Sequence, residues 1–221
     1  MLEVIKGTVL ILSALFPIVN PLGTSPIFLA MTADYPSAAR AALSRRVAWN
    51  SFVLLVASFL IGTHVLAFFG ISLPVVQVGG GLIVISTGWS MLKQRDEDPP
   101  VTGAKRTLNT RDIFRNAFYP LTLPLTVGPG SISVAITLGA NEPRHVGLNI
   151  LGLIAPILGS FLIGVSVLLC YGFAHRLARL LGPTGMSIMM RLSSFLLVCI
   201  GVQILWNGVH GLLSTLPGLA R

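Results

Sequence analysis

Residues 47–92 read VAWNSFVLLVASFLIGTHVLAFFGISLPVVQVGGGLIVISTGWSML, 46 residues without one Lys, Arg, Asp or Glu. As a single helix rising about 1.5 Å per residue the run would be about 69 Å long, more than twice the roughly 30 Å hydrocarbon core of a bilayer. It must fold back on itself. Gly70-Ile71-Ser72-Leu73-Pro74 marks the turn, because glycine and proline punctuate the run there and the residue before a proline is pushed out of helical geometry.

Four more uncharged runs, Gly7–Ala33, Asn116–Asn141, Val146–Ala174 and Leu192–Ala220, each reach the roughly 20 residues that cross a bilayer. With the folded run they predict an all-α membrane protein of six transmembrane helices, at about 7–33, 47–69, 74–92, 116–140, 146–174 and 192–213. Composition agrees: 53% of the chain is hydrophobic and 10% charged, where soluble domains carry about 25% charged residues. The first run follows Glu3 and Lys6 rather than a basic leader and is too long for a secretory signal, so it reads as a retained span. Cys170 and Cys199 fall inside apolar spans and read as small buried hydrophobes.

A net charge of +8 in a soluble protein would suggest nucleic acid, but here the basic residues sort by loop. Arg40, Arg45 and Arg46 follow the first span. Lys93, Arg95, Lys105, Arg106, Arg111 and Arg115 follow the third, and Arg176, Arg179 and Arg191 the fifth. Only Lys6, Arg144 and Arg221 fall on the other side, so the positive-inside rule places both termini outside and the three basic loops in the cytoplasm. Fusing the second and third spans into one would scatter the basic residues over both faces.

The chain also repeats itself. Phe16-Pro17, Pro21 and Pro26 in the first span match Tyr119-Pro120, Pro124 and Pro129 in the fourth, at one constant offset. Arg45-Arg46-Val47-Ala48-Trp49-Asn50 matches Arg144-His145-Val146-Gly147-Leu148-Asn149, and more weakly Gly70 pairs with Gly182 and Gly88 with Gly201. Residues 1–92 and 113–221 thus read as two three-helix repeats joined by a cytoplasmic linker, 93–112, with Asp96-Glu97-Asp98-Pro99-Pro100 inside it. Three is odd, so the second repeat enters the membrane inverted, as in many secondary transporters.

The prolines carry the chemistry. Each lacks the amide hydrogen that would bond the carbonyl four residues earlier, and hydrocarbon offers no water in its place. Pro21 frees the carbonyl of Pro17, Pro26 that of Leu22, Pro124 that of Pro120 and Pro129 that of Leu125. A broken helix also exposes an N-terminus whose amides attract anions. The surrounding residues are small or polar, so the candidate substrate site is Asn20, Pro21, Gly23, Thr24, Ser25 and Pro26 with Thr122, Pro124, Thr126, Gly128, Pro129, Gly130 and Ser131. A zwitterion fits such a site, its carboxylate on a half-helix N-terminus and its ammonium on freed carbonyls and the Asn20 side chain. The bland alternative is that the prolines merely kink two helices while Ser and Thr re-satisfy the backbone.

No acidic side chain lies in a span, so a relay of buried carboxylates is not predicted. His64 could couple transport to protons, or simply pack. Asn50 and Asn149 suit caps or interhelical hydrogen bonds, and Gln77 and Gln203 are uncommitted. Gly79-Gly80-Gly81, Gly152, Gly159 and Gly164 read as close helix packing. The spans show no His-Glu-x-x-His pattern and no paired carboxylates, and Ser131 lacks a convincing base. An enzyme is therefore not expected, nor catalytic residues, a metal or a cofactor.

Asn20-Pro21-Leu22-Gly23-Thr24-Ser25-Pro26-Ile27-Phe28 and Pro124-Leu125-Thr126-Val127-Gly128-Pro129-Gly130 resemble the paired signatures of the MarC family. Phe69-Gly70-Ile71-Ser72 with Gly80-Gly81-Leu82-Ile83, and Arg191-Leu192 with Gly201-Val202-Gln203, are similar to its third and sixth helices. The resemblance covers essentially the whole chain. It implies a bacterial inner-membrane protein near the LysE-type exporters, some of whose relatives transport small neutral amino acids, without implying drug efflux. Leu123 stands where an asparagine would make the second signature match the first, so Asn20 breaks the symmetry of the site. The expectation is a secondary carrier or exporter of glycine- or alanine-like amino acids, with a channel or passive pore, or efflux of another small metabolite, as the alternative. Its partners would be the lipid bilayer and a small solute, with no nucleic acid and with a homo-oligomer allowed.

Overall fold

The computed structural model describes residues 2–93, 115–141 and 150–215. Every described element is helical: α1 Leu2–Val19, α2 Pro21–Met31, α3 Ser37–Phe68, α4 Leu73–Lys93, α5 Ala117–Thr126, α6 Pro129–Asn141, α7 Ile150–Gly172 and α8 Ala174–Leu213. Five helices are long and apolar enough to cross a membrane, and α5 with α6, bent by 69° at their junction, makes a sixth span. The predicted linker, apart from Lys93, and the Arg144–Asn149 match lie outside the described residues.

The turn expected at Gly70–Pro74 closes α3 and opens α4, with Gly70 in the left-handed region at φ 66°. Gly182, its partner in the repeat, is the other described glycine with positive φ, at 64°, and breaks α8 ahead of the stretch that spans. Several basic residues expected in loops sit instead on helical extensions. Arg40, Arg45 and Arg46 lie in the first turns of α3, and Arg176 and Arg179 ahead of the Gly182 break. A helix satisfies its own backbone, so it can run past the hydrocarbon and carry charge into water.

Close contacts fix the direction of the helices. Gly7 lies against Ala155 and Gly159 against Ile11, so α1 and α7 run parallel. Ala48 meets Gly164, and Phe52 meets Phe161 edge-on at 6.2 Å, so α3 and α7 run antiparallel. Gly208 approaches Pro74, Gly201 approaches Gly81, and Gly88 approaches Ser194, which makes α4 and α8 antiparallel as well. Small residues on one face allow this approach, and hydrocarbon gives no other strong reason for two apolar helices to associate.

Ile11, Leu15, Phe28, Leu55, Ile163 and Val167 fill the centre, while Phe68, Trp49, Trp206 and Phe195 stand on the outside. Large apolar side chains on the outer surface are expected where lipid is the solvent.

At the α2–α3 corner the Arg40 guanidinium donates through Nη2 to the carbonyls of Thr32 at 3.0 Å, Tyr35 at 3.3 Å and Ala33 at 3.4 Å, with Nε adding a contact to Thr32. A cation just beyond the C-terminus of α2, on the Thr32 cap and the turn after it, also suits the helix dipole. Arg40→Gln is expected to cost about 1–2 kcal/mol, read as a lower unfolding midpoint of the purified protein. An unchanged midpoint would mean that the clamp holds nothing.

Candidate functional site

Asn20 is the break in the first span. It is left-handed, at φ 47° and ψ 54°, a region that asparagine tolerates better than most residues. Its Oδ1 accepts the Gly23 amide at 3.1 Å and so caps α2, with Pro21 at the first helical position. Pro17 and Pro26 sit inside α1 and α2. The Leu22 carbonyl freed by Pro26 accepts the Ser25 hydroxyl at 2.8 Å, so at this position the serine re-satisfies the backbone.

The second break is less regular. Tyr119 and Leu123, each followed by a proline, are extended, and the hydrogen bonds around them reach back five residues: Thr122 Oγ1 to the Ala117 carbonyl, Thr126 Oγ1 to the Leu121 carbonyl and the Val127 amide to the Thr122 carbonyl. A residue before proline favours extended backbone, and two such residues unwind the segment. At Val127–Gly128 the chain turns into α6.

Between the breaks lies a cavity of about 430 Å³, within the ordinary range of small-molecule sites. Of the predicted residues it brings together Asn20, Thr24, Pro124, Thr126, Gly128, Pro129, Gly130 and Ser131. Pro21, Gly23, Ser25, Pro26 and Thr122 do not line it. Gly23 lies under the Asn20 carboxamide, where a Cβ would collide with it and come 2.7 Å from Ser193 Cβ. Thr122 is fully buried and accepts a long hydrogen bond, 3.4 Å, from Asn50 Nδ2 on α3. Asn50 thus makes the interhelical bond considered for it, and Gln77 makes another to Thr137 at 3.4 Å.

The remaining wall is aliphatic apart from Thr87 and comes from α1, α2, α4, α5 and α8, with Ile18, Ile27, Met31, Ile83, Met91 and Leu197 among it. Among the described residues, no lining side chain is charged. His64 is exposed on α3 and does not line the cavity. Of the two cysteines expected to be buried, Cys170 is half-buried and Cys199 is exposed, because its face of α8 points away from the bundle.

Asn20 is 9% exposed, and with Oδ1 accepting the capping bond its Nδ2 has no hydrogen-bond partner among the described residues. A backbone amide can only donate, so the cap fixes which way the carboxamide faces. The group left over is a donor. Asn20 therefore offers an anionic group an unused donor, while toward an ammonium it has only the second lone pair of the capping oxygen.

One residue that the sequence reading passed over joins the two breaks. Tyr171 on α7 is 1% exposed, its ring stacks on Phe28 at 4.3 Å, and its hydroxyl lies 3.0 Å from Thr24 Oγ1 and 2.8 Å from Thr126 Oγ1. A tyrosine in an apolar run was the available signal, since a buried phenol needs a polar partner.

Two apolar spans broken at a shared cavity define a polytopic membrane protein. The chain belongs to the MarC family of integral membrane proteins, whose model matches residues 5–213. It is 34% identical over 223 residues to the UPF0056 inner membrane protein MarC of Citrobacter koseri, covering 97% of this chain and 99% of that one. The proteins of the same name from Salmonella typhimurium and from Escherichia coli strain SMS-3-5 are each 33% identical, over 220 and 219 residues, with the same coverage. No solved structure matches the chain. Membership and the apolar helices together make it a multi-pass inner-membrane protein.

Proposed function

We propose that the chain is a secondary carrier or exporter of small neutral amino acids, glycine and alanine among them, working by alternating access around the cavity between Asn20 and Gly128. The observation that carries this reading is the cavity itself, walled by both broken segments and lacking charged side chains among the described residues, with a buried asparagine amide one bond short in its wall. An anionic or zwitterionic solute would place its carboxylate near that donor and near the first-turn amides of α6, which an α-helix leaves unpaired. Its ammonium would go to carbonyls that Pro124 and Pro129 cannot bond, and the aliphatic wall would hold a small apolar side chain.

The sequence repeat and the antiparallel pairing of α4 with α8 fit two inverted halves rocking about one site. The basic residues on one face fit termini on the outer side.

Counterflow into proteoliposomes tests the proposal. Labelled alanine or glycine is expected to enter saturably, faster when unlabelled substrate is inside. Flux that never saturates would favour a pore, and no entry of any neutral amino acid would sink the carrier.

A further inference from the structure

The hydroxyls between the breaks do not have enough protons for their contacts. Thr24 Oγ1 lies 2.9 Å from the Asn20 carbonyl and Thr126 Oγ1 2.7 Å from the Leu121 carbonyl, while Tyr171 lies 3.0 Å from the first hydroxyl and 2.8 Å from the second. These are four contacts of hydrogen-bond length. Each of the three hydroxyls has one proton to donate, so one contact is always unbonded. When both threonines donate to their own carbonyls, Tyr171 can donate to only one of them.

We infer that Tyr171 is the positioning residue that couples the two broken segments, because Thr24 on α2 and Thr126 on α5 compete for its single hydroxyl proton. Whichever break takes the proton is held to α7, and the other is loosened by the same event. Neither water nor lipid can supply the missing donor easily, since Tyr171 is 1%, Thr126 2% and Thr24 5% exposed. The stacked Phe28 ring restrains the phenol, so the choice is made by proton position rather than by swinging the side chain away. Both threonines line the cavity, so the competition is felt where a solute would sit. The functional meaning, that the two halves of a transport site are latched in turn, rests on the carrier reading; the competition itself does not.

Competition makes a prediction with a definite sign. Removing one threonine hydroxyl frees the tyrosine proton for the other, so each single loss is partly compensated, whereas removing both strands the phenol. Thr24→Val and Thr126→Val are made singly and together in the full-length protein, in the native and the Tyr171→Phe backgrounds, and apparent unfolding midpoints are measured in detergent. In the native background the double variant is expected to lose about 3 °C more than the sum of the single losses. In the Tyr171→Phe background the losses are expected to add. Thr24→Ser and Thr126→Ser, which keep the hydroxyls, should restore native behaviour if folding alone is not at fault.

Additive losses in the native background, or an excess that survives Tyr171→Phe, would overturn the coupling. In counterflow, Tyr171→Phe should lower the maximal rate with little change in half-saturation, because the site's contacts remain and only the exchange between latched states is disturbed. A positive cycle without uptake of any neutral amino acid leaves the coupling standing and removes the carrier reading, and uptake with an additive cycle does the reverse.

Discussion

Gly81→Ala is expected to destabilise the protein by about 2–3 kcal/mol, while Gly79→Ala, two residues away in the same glycine triplet, should be neutral. A Cβ on Gly81 would come 2.6 Å from the Leu205 amide nitrogen, 2.8 Å from the Gly201 carbonyl oxygen and 2.9 Å from Leu205 Cα, and backbone atoms of α8 cannot step aside as a side chain can. A Cβ on Gly79 meets nothing within 4 Å. Gly201→Ala should behave like Gly81→Ala, since its Cβ would come 2.8 Å from the Ile85 amide nitrogen on the opposite helix. Unfolding midpoints of the three variants check this. Equal effects at Gly79 and Gly81 would mean that α4 and α8 do not meet at this face.

The second large effect is expected at Asn20, where three replacements separate three roles. Asn20→Gly keeps the left-handed backbone at ease and should cost only a few tenths of a kcal/mol for the lost cap. Asn20→Ala loses the cap and forces a Cβ into that conformation, which adds about 1–2 kcal/mol. Asn20→Asp retains an oxygen for the Gly23 amide but turns the spare donor into an acceptor. Glycine and asparagine at this position should therefore be similarly stable, and alanine should not.

Ligand binding should sort the variants differently. If the carboxylate of a small amino acid is held by the Asn20 amide, all three weaken binding by about tenfold or more, with aspartate worst because it adds repulsion. The rise of the unfolding midpoint with added alanine or glycine reads this out, since a solute that binds only the folded state stabilises it. Binding to Asn20→Gly as tight as to the native protein would remove the asparagine from the site.

Much of the site was legible because broken helices leave an unmistakable mark in an apolar run. The paired prolines located both breaks, and eight of the thirteen candidate residues meet at one cavity, from Asn20 and Thr24 across to Gly130 and Ser131. Gly23, Ser25 and Thr122 stand beside those residues in sequence but face elsewhere: one lies under the carboxamide, one bonds its own helix and one reaches α3. Which side of a helix looks into a cavity depends on how the helix is rotated, and irregular backbone erases the period from which rotation could be read. The aliphatic wall from α4 and α8 and the Tyr171 bridge were hidden for a different reason. They are set by contacts between segments far apart in the chain, and Thr24 and Tyr171 are separated by 147 residues.

The sequence alone determined that this is a multi-span helical protein, where the chain turns back at Gly70–Pro74, and that two spans are interrupted. Hydrocarbon thickness and backbone hydrogen bonding leave a charge-free run few choices, and proline's missing proton is a local fact. The tertiary structure decided how the helices meet and what the breaks enclose. Only three-dimensional packing brings Gly81 against Gly201 and stacks Tyr171 on Phe28. Only the folded cap commits one end of the Asn20 amide and leaves the other without a partner. Those outcomes follow from directional contacts a few ångströms long, which composition and spacing do not encode.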